Sequence, residues 1–135
     1  MIEQAVIEWD ADGTPWAPGF GDVYHARAGA LGQARHVFLG GNRLAQRWQA
    51  PRADGRHGFT ILETGFGLGS NFLATWDAWR KAAAPPVPLR YVGIEKHPPR
   101  PTDFERMHAG SELWPLAALL AERWPQPLPG LHPIE

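Results

Sequence analysis

The 135-residue sequence has no cysteine, which excludes disulfides, a thiol nucleophile and Cys-ligated zinc. It also has no apolar run near the ~18 residues that a membrane-spanning helix needs. Its opening "MIEQAVIEWDADG" carries acids where a secretory signal would carry a basic and then an apolar block. A cytoplasmic protein is expected. None of the six histidines stands in H-x-x-x-H or another ligand spacing, so no metal centre is expected either. Basic excess is missing too: a net charge of −1 argues against a dedicated nucleic-acid binder. No repeat, heptad or low-complexity block interrupts the chain.

What is present describes a globular domain with an uneven charge distribution. Seven tryptophans, each able to bury about 150–250 Å², allow a core even in a chain this short. Residues 1–26 hold the acids Glu3, Glu8, Asp10, Asp12 and Asp22 and no Lys or Arg. Residues 27–56 hold Arg27, Arg35, Arg43, Arg47, Arg52 and Arg56 against the single acid Asp54. Such a segment either meets phosphate, forms a solvated face or pairs with the acidic N-terminus.

Local patterns predict the elements in order. "AVIEWDADGTPW" reads as a short strand and a turn at Asp12-Gly13, a hairpin signal. Leu31, Ala34, Val37 and Phe38 lie at helical spacing before a stop at Gly40-Gly41, and Arg43 to Trp48 predicts another short helix. "FTIL" (59–62) has the character of a buried parallel strand. From Asn71 the residues Phe72, Trp76, Trp79 and Ala83, with Leu73 beside them, mark one apolar helix face, ended by "PPVP" at 85–88. "LRYVGIE" (89–95) is a second strand, "KHPPRP" turns the chain away, and "SELWPLAALLAERW" is a second helix buried through Leu113, Ala117, Leu120 and Trp124. Strand, glycine turn, helix, strand, helix is a βαβα unit of an α/β parallel sheet. The expected organisation is an N-terminal extension over residues 1–57, and over 58–135 the first half of a Rossmann-like domain whose C-terminal part is absent. An unpaired strand edge would invite self-association, so an oligomer is an option.

Between the strand and the following helix stands "ETGFGLGSNF", an acid followed by glycines at 65, 67 and 69. In open α/β sheets ligands sit beyond the carboxyl ends of the strands, where bare backbone permits close approach and a helix N-terminus offers N–H groups. A phosphate-cradling P-loop needs Lys then Ser or Thr after its last glycine, and here Ser70-Asn71 follows. A dinucleotide site prefers G-x-G-x-x-G/A, whereas this pattern is G-x-G-x-G. The acid-x-G-x-G-x-G arrangement resembles motif I of the S-adenosylmethionine-dependent methyltransferases. Glu95, at the end of the second strand and 26 residues beyond Gly69, is then the acid that takes the ribose hydroxyls.

Longer stretches carry a more specific resemblance. "IEWDADGTPWAPGFGDVYHAR", "RHVFLGGNRLAQRW", "ETGFGLGSNFLATW", "GIEKHP" and "RWPQPLPGLH" follow the order and spacing of the methyltransferase domain of the bifunctional tRNA 5-methylaminomethyl-2-thiouridine biosynthesis proteins. The resemblance spans about Ile7 to Pro133. It implies methyl transfer from S-adenosylmethionine to the aminomethyl nitrogen of a modified wobble uridine, with tRNA as partner. In many members an FAD-dependent oxidoreductase domain, fused or separate, prepares that amine; nothing in this chain resembles it, so FAD is expected only with a second domain. The family loop usually reads like "GFGTGLNF", and Leu68 and Ser70 replace that Thr and Leu here. An aspartate-containing segment at the family's substrate pocket lies in strands beyond Glu135, so the catalytic residue is unassigned and the isolated chain is expected to be inactive. The alternative is a non-catalytic cofactor-binding module that keeps only the glycine loop.

The resemblance assigns cofactor binding to Glu63, Gly65, Phe66, Gly67, Gly69, Asn71, Glu95 and Lys96, and the substrate side to Tyr24, Asn42, Arg43 and Arg47. Several have plain readings beside these. Glu63 either orients the loop, meets the cofactor's amino group or makes a helix-turn hydrogen bond. Phe66 lies against the cofactor or plugs the loop's base, and Lys96 lines the adenosine side or is simply exposed. Tyr24 packs or faces substrate, and Asn42 is a turn residue or a substrate contact.

Overall fold

The computed structural model describes residues 1–24, 29–50, 53–55, 57–82 and 87–135. Arg27, Arg52, Arg56, Ala83 and the first two prolines of the "PPVP" stop lie outside them, as does "HAR" at the end of the first family-like motif.

The acidic N-terminus folds as an antiparallel meander of β1 (Glu8–Trp9), β2 (Pro15–Ala17) and β3 (Asp22–Val23). The expected hairpin is there. Asp10 organises its turn: Oδ1 accepts from the backbone N–H of Asp12 at 2.9 Å and of Thr14 at 2.8 Å, and Gly13 takes a φ of 77°. Helix α1 (Ala30–Gln33) runs directly into a π-helical segment, Ala34–Gly40, so the "LGQARHVFLGG" helix is wider than an α-helix over most of its length. The residue after its end must be glycine for a steric reason. A Cβ on Gly41 would stand 2.4 Å from the Val37 carbonyl oxygen. Helix α2 (Leu44–Gln49) follows, entered through Arg43 at a φ of 50°.

Strand β4 (Phe59–Thr64), helix α3 (Ser70–Lys81) and strand β5 (Leu89–Ile94) form the expected βαβ unit. The two strands pair in parallel and in phase, from Phe59 opposite Leu89 to Thr64 opposite Ile94. Period-2 alternation then divides the sheet. Ile61, Glu63 and Tyr91 face the helices, whereas Leu62 and Ile94 are 64% and 53% exposed on the other face.

Two helices follow where the sequence reading has one. Besides α5 (Trp114–Arg123), the chain forms α4 (Pro101–His108) directly after the proline-rich turn. Pro101 needs no donor at the first position, and the Asp103 carboxylate accepts from the Arg100 N–H at 2.8 Å. Phe104, Met107 and His108 are its buried side. The βαβα reading therefore becomes βαβαα.

Helix α3 lies at the centre. Leu73 and Ala74 pack with Phe104 of α4 and with Leu113, Leu116, Ala117 and Leu120 on and beside α5. On the sheet side Ala78 and Trp79 border a second cluster built on Leu44, Trp48 and Ile61. The aromatics Phe72, Trp76 and Trp79 are half-buried, and the deepest positions are Leu73, Ala74 and Thr75. Of the expected apolar face, Leu73 is the deepest member, and packing on two sides extends the burial maximum to Ala74 and Thr75, outside that face. The N-terminus is tied across the sequence, with Ile2 N–H donating to Pro127 at 2.8 Å and Ala5 N–H to Pro98 at 3.0 Å. Among the described residues no helix is long and apolar enough to cross a membrane.

Candidate functional site

All three glycines of the turn adopt left-handed backbone: φ is 77° at Gly65, 55° at Gly67 and 73° at Gly69. An L side chain at such angles costs on the order of 1–2 kcal/mol, so the alternate glycines follow from the path of the loop. The glycines differ in what surrounds them. A Cβ on Gly65 would meet nothing within 4 Å, and one on Gly67 would touch the Tyr24 ring at 3.7 Å. On Gly69 it would enter the core, 3.3 Å from Phe66 and 3.5 Å from Leu120 and Phe104.

The end of β5 holds this loop. Gly65 and Phe66 donate backbone N–H groups to the Ile94 carbonyl at 2.8 and 3.3 Å, and Gly67 N–H donates to Glu95 Oε2 at 2.9 Å. Glu95 Oε1 accepts from His97 N–H at 2.9 Å. Each carboxylate oxygen thus carries one protein hydrogen bond and keeps a second lone pair for a ligand.

Glu63 has a different job. Buried at the end of β4, it accepts from Asn71 Nδ2 at 2.7 Å through Oε1 and from the Tyr91 hydroxyl at 2.6 Å through Oε2. It thereby joins the strand end to the first turn of α3, where Thr75 Oγ1 donates to the Asn71 carbonyl at 2.7 Å. Burial raises the Glu63 pKa, the two hydrogen bonds pull it down, and the Glu95 charge adds to the rise. Tyr91 is pushed up by burial and then by Glu63. Burial also raises Tyr24, reinforced by Glu95 and Asp103.

Beside the loop opens a cleft of about 540 Å³. Its floor is the turn with Glu63, Ser70, Asn71 and Glu95; one wall is the β2–β3 hairpin with Tyr24, and the other is α1 with the π-helical segment, ending at Asn42. Asp22, Glu63 and Glu95 line it, and among its described lining residues there is no Lys or Arg. Ser70 Oγ is buried there with no hydrogen-bond partner.

The cleft brings together Glu63, Gly65, Phe66, Gly67, Asn71, Glu95, Tyr24 and Asn42 of the expected set. Four residues stand apart. Gly69 faces the core, and Lys96 is exposed outside the cleft. Arg43 is an exposed left-handed entry to α2, and Arg47 lies 5.4 Å over the Phe59 ring while donating to the Asn42 carbonyl at 3.4 Å. Phe66 mainly plugs the loop's base: its ring stacks on Trp124 at 5.4 Å, meets Phe104 edge-on at 6.3 Å and lies tilted against Phe72 at 5.7 Å. Asn42 donates to the Phe38 carbonyl at 2.9 Å, a turn role that leaves its amide oxygen uncommitted. Arg35 pairs with Glu112 at 2.6 Å and Asp77 at 3.6 Å, away from the acidic N-terminus.

Sequence reasoning missed Ser70, His97 and Phe20, which also line the cleft; the last two meet with ring centroids 5.4 Å apart. Phe20 sits two residues before Asp22 in a quoted motif, and His97 two residues after Glu95, which was the available signal. Gly93 was missed as well. A Cβ there would stand 2.5 Å from Phe66 Cδ2.

Fold and cleft together define an α/β chain with an open cleft beside a glycine turn at the carboxyl end of parallel strands. No family model matches the sequence. Curated relatives do. The chain is 56% identical over 128 residues to the tRNA 5-methylaminomethyl-2-thiouridine biosynthesis bifunctional protein MnmC of Methylibium petroleiphilum. It is 52% identical over 132 residues to the protein of that name from Aromatoleum aromaticum, and 51% over 132 residues to that from Cupriavidus necator. These matches cover 95–97% of this chain and 19–20% of the relatives, so the chain spans about one fifth of their length. It is homologous to one stretch of enzymes that, by name, act in tRNA modification.

Proposed function

We propose that this chain is the cofactor-binding part of an S-adenosylmethionine-dependent tRNA methyltransferase, and that residues 58–135 form the first half of its Rossmann-like domain with residues 1–57 as a packed extension. One observation carries the reading: Glu95, just past the end of the second parallel strand, accepts from the amide of Gly67 beside a cleft whose described lining holds carboxylates and no Lys or Arg. A dinucleotide or nucleoside triphosphate would bring phosphates into that acidic site. A sulfonium nucleoside brings a positive sulfur and an ammonium group, which three carboxylates favour. The fit extends to the backbone, since Gly65 leaves open space where a side chain would stand, and Ser70 Oγ has an unmet hydrogen bond.

The bound cofactor would supply a methyl group, the C–S bond breaking as a C–N bond forms to an aminomethyl nitrogen of uridine and the amine proton leaves. The chain's own residues position. Glu95 takes ribose hydroxyls with its remaining lone pairs, and Glu63 fixes the loop through Asn71 rather than reaching the ligand. Tyr24 and Asn42 stand on the walls where an acceptor base enters. Arg43 and Arg47, exposed on α2, are proposed contacts to the tRNA backbone. An FAD-dependent oxidoreductase, fused or separate, would prepare the amine; the relatives' name calls them bifunctional without stating the second activity. The proposed location is the cytoplasm.

Isothermal titration with S-adenosylmethionine and S-adenosylhomocysteine tests the central claim. The wild-type chain should bind both and NAD should not compete, while Glu95→Ala should weaken binding by at least about tenfold, the worth of a charge-assisted hydrogen-bond pair. Absence of binding by the wild type, or an unaffected Glu95→Ala variant, would overturn it. Arg43→Glu with Arg47→Glu should weaken tRNA binding and reduce its salt slope; an unchanged slope would remove those two residues from the interface.

A further inference from the structure

We propose that His108 is a positioning residue for the glycine loop, acting through Leu68 without touching the ligand. Leu68 stands between Gly67 and Gly69, both left-handed, so its peptide groups lie outside the ladder of α3. The first half of the loop is held from the end of β5 and the residue after it, where Ile94 and Glu95 take the N–H groups of Gly65, Phe66 and Gly67, while Glu63 of β4 bridges to Asn71 beyond the loop. Nothing from β5 holds the second half of the turn. Helix α4 does, forty residues downstream. His108 Nε2 lies 2.9 Å from the Leu68 carbonyl oxygen, and the ring is buried at 5% exposure. A carbonyl oxygen can only accept, so Nε2 carries the proton and donates. The preceding residue of α4, Met107, packs with the Leu68 side chain in a small cluster that includes Ala30. One turn of α4 therefore grips Leu68 by side chain and carbonyl together.

That grip matters because glycines do not hold their own conformation. Each visits both signs of φ readily, so a loop with three of them is intrinsically mobile. Fixing the peptide between Gly67 and Gly69 leaves the cleft floor formed before a ligand arrives, and removes an ordering cost from binding. The same contact ties α4, which no sequence motif marks as part of the site, to the ligand-binding turn.

The test compares His108→Leu, which keeps apolar volume and removes the donor, with His108→Gln, whose amide nitrogen can reach the same carbonyl. Hydrogen exchange of the 66–69 amides, measured relative to amides of α5, should quicken by about threefold to tenfold in His108→Leu and return toward wild type in His108→Gln, as expected for one neutral hydrogen bond. S-adenosylhomocysteine affinity should change by the same factors; this arm rests on the function proposed above. A wild-type chain that binds no S-adenosylhomocysteine would count against that function, and the exchange ratios would then decide on His108 alone. Loop exchange equal to wild type in His108→Leu, or no recovery in His108→Gln, would overturn the inference. Should the Leu variant fail to fold, nitrogen-15 NMR of the wild type reads the ring directly: a proton on Nε2 is expected, and a neutral ring protonated only at Nδ1 refutes the bond.

Discussion

Substituting Gly93 by Ala puts the coupling between sheet and loop to a quantitative test. The added Cβ would lie 2.5 Å from Phe66 Cδ2 and 3.3 Å from Cγ and Cε2. Carbon atoms prefer about 3.5–4.0 Å, so the closest pair overlaps by roughly 1 Å. Phe66 has little room to retreat, since Trp124 stacks on it at 5.4 Å and Tyr91, Phe104 and Phe72 surround it at 6.5, 6.3 and 5.7 Å. Overpacking of this kind costs typically about 1–3 kcal/mol, while replacing a strand glycine by alanine returns roughly 0.5–1 kcal/mol of backbone entropy. A net loss of about 1–2 kcal/mol is expected, lowering a urea midpoint by roughly 1 M at an m-value of about 1.5 kcal/mol/M. Because the strain runs through one ring, Phe66→Leu should relieve most of it. In that background Gly93→Ala should cost less than about 0.5 kcal/mol, a coupling of the size contacting residues show. Equal costs in both backgrounds would refute the argument, since the damage would then come from elsewhere than the Phe66 contact.

Other consequences concern the acids and the turn. The raised Glu63 pKa means the folded state holds that proton more tightly than the unfolded chain, whose value is 4.5. Its stabilising contribution is therefore present below 4.5 and lost as pH rises through the folded value. Asp103, raised by burial from 3.8, acts in the same direction, so the readout is the difference between the urea-midpoint profiles of wild type and Glu63→Gln. The variant's profile should fall less across that window; parallel profiles would contradict the shift. Gly65→Ala should cost about 1–2 kcal/mol from backbone angle alone and obstruct ligand, whereas Gly69→Ala should add core strain against Phe66. Gly65→Ala losing more ligand affinity per unit of stability than Gly69→Ala is the expected pattern, and the reverse order would misplace the cleft.

The glycine turn was legible because its signal is local: spacing alone marked three positions, and all three take left-handed angles. Glu95 was legible through the length of one βα unit. The π-helical widening at Ala34–Gly40 was not, since a 3.6-residue pattern carries no sign of an extra residue per turn. Helix α4 was hidden by the prolines before it, although Pro101, the Asp103 cap and the pairing of Phe104 with Met107 and His108 were all readable. Long-range contacts were out of reach. Nothing in sequence joins Tyr91 to Glu63, His108 to Leu68, or Gly93 to the ring of Phe66, because each depends on which elements the fold lays side by side. Exposed Lys96 and the outward Arg47 show the opposite limit, since chain adjacency to a site residue does not place a side chain in the site.

The in-phase pairing of β4 with β5 sets Glu63 opposite Gly93 and leaves Glu95 one residue past the last pair. Strand geometry makes that alignment a digital quantity. Losing a single residue from β5 would turn Tyr91 to the outer surface, bring a branched side chain beneath Phe66 and withdraw the carboxylate from the Gly67 amide, all at once. Short deletions in this strand should accordingly be far less tolerated than substitutions at its outward-facing sites.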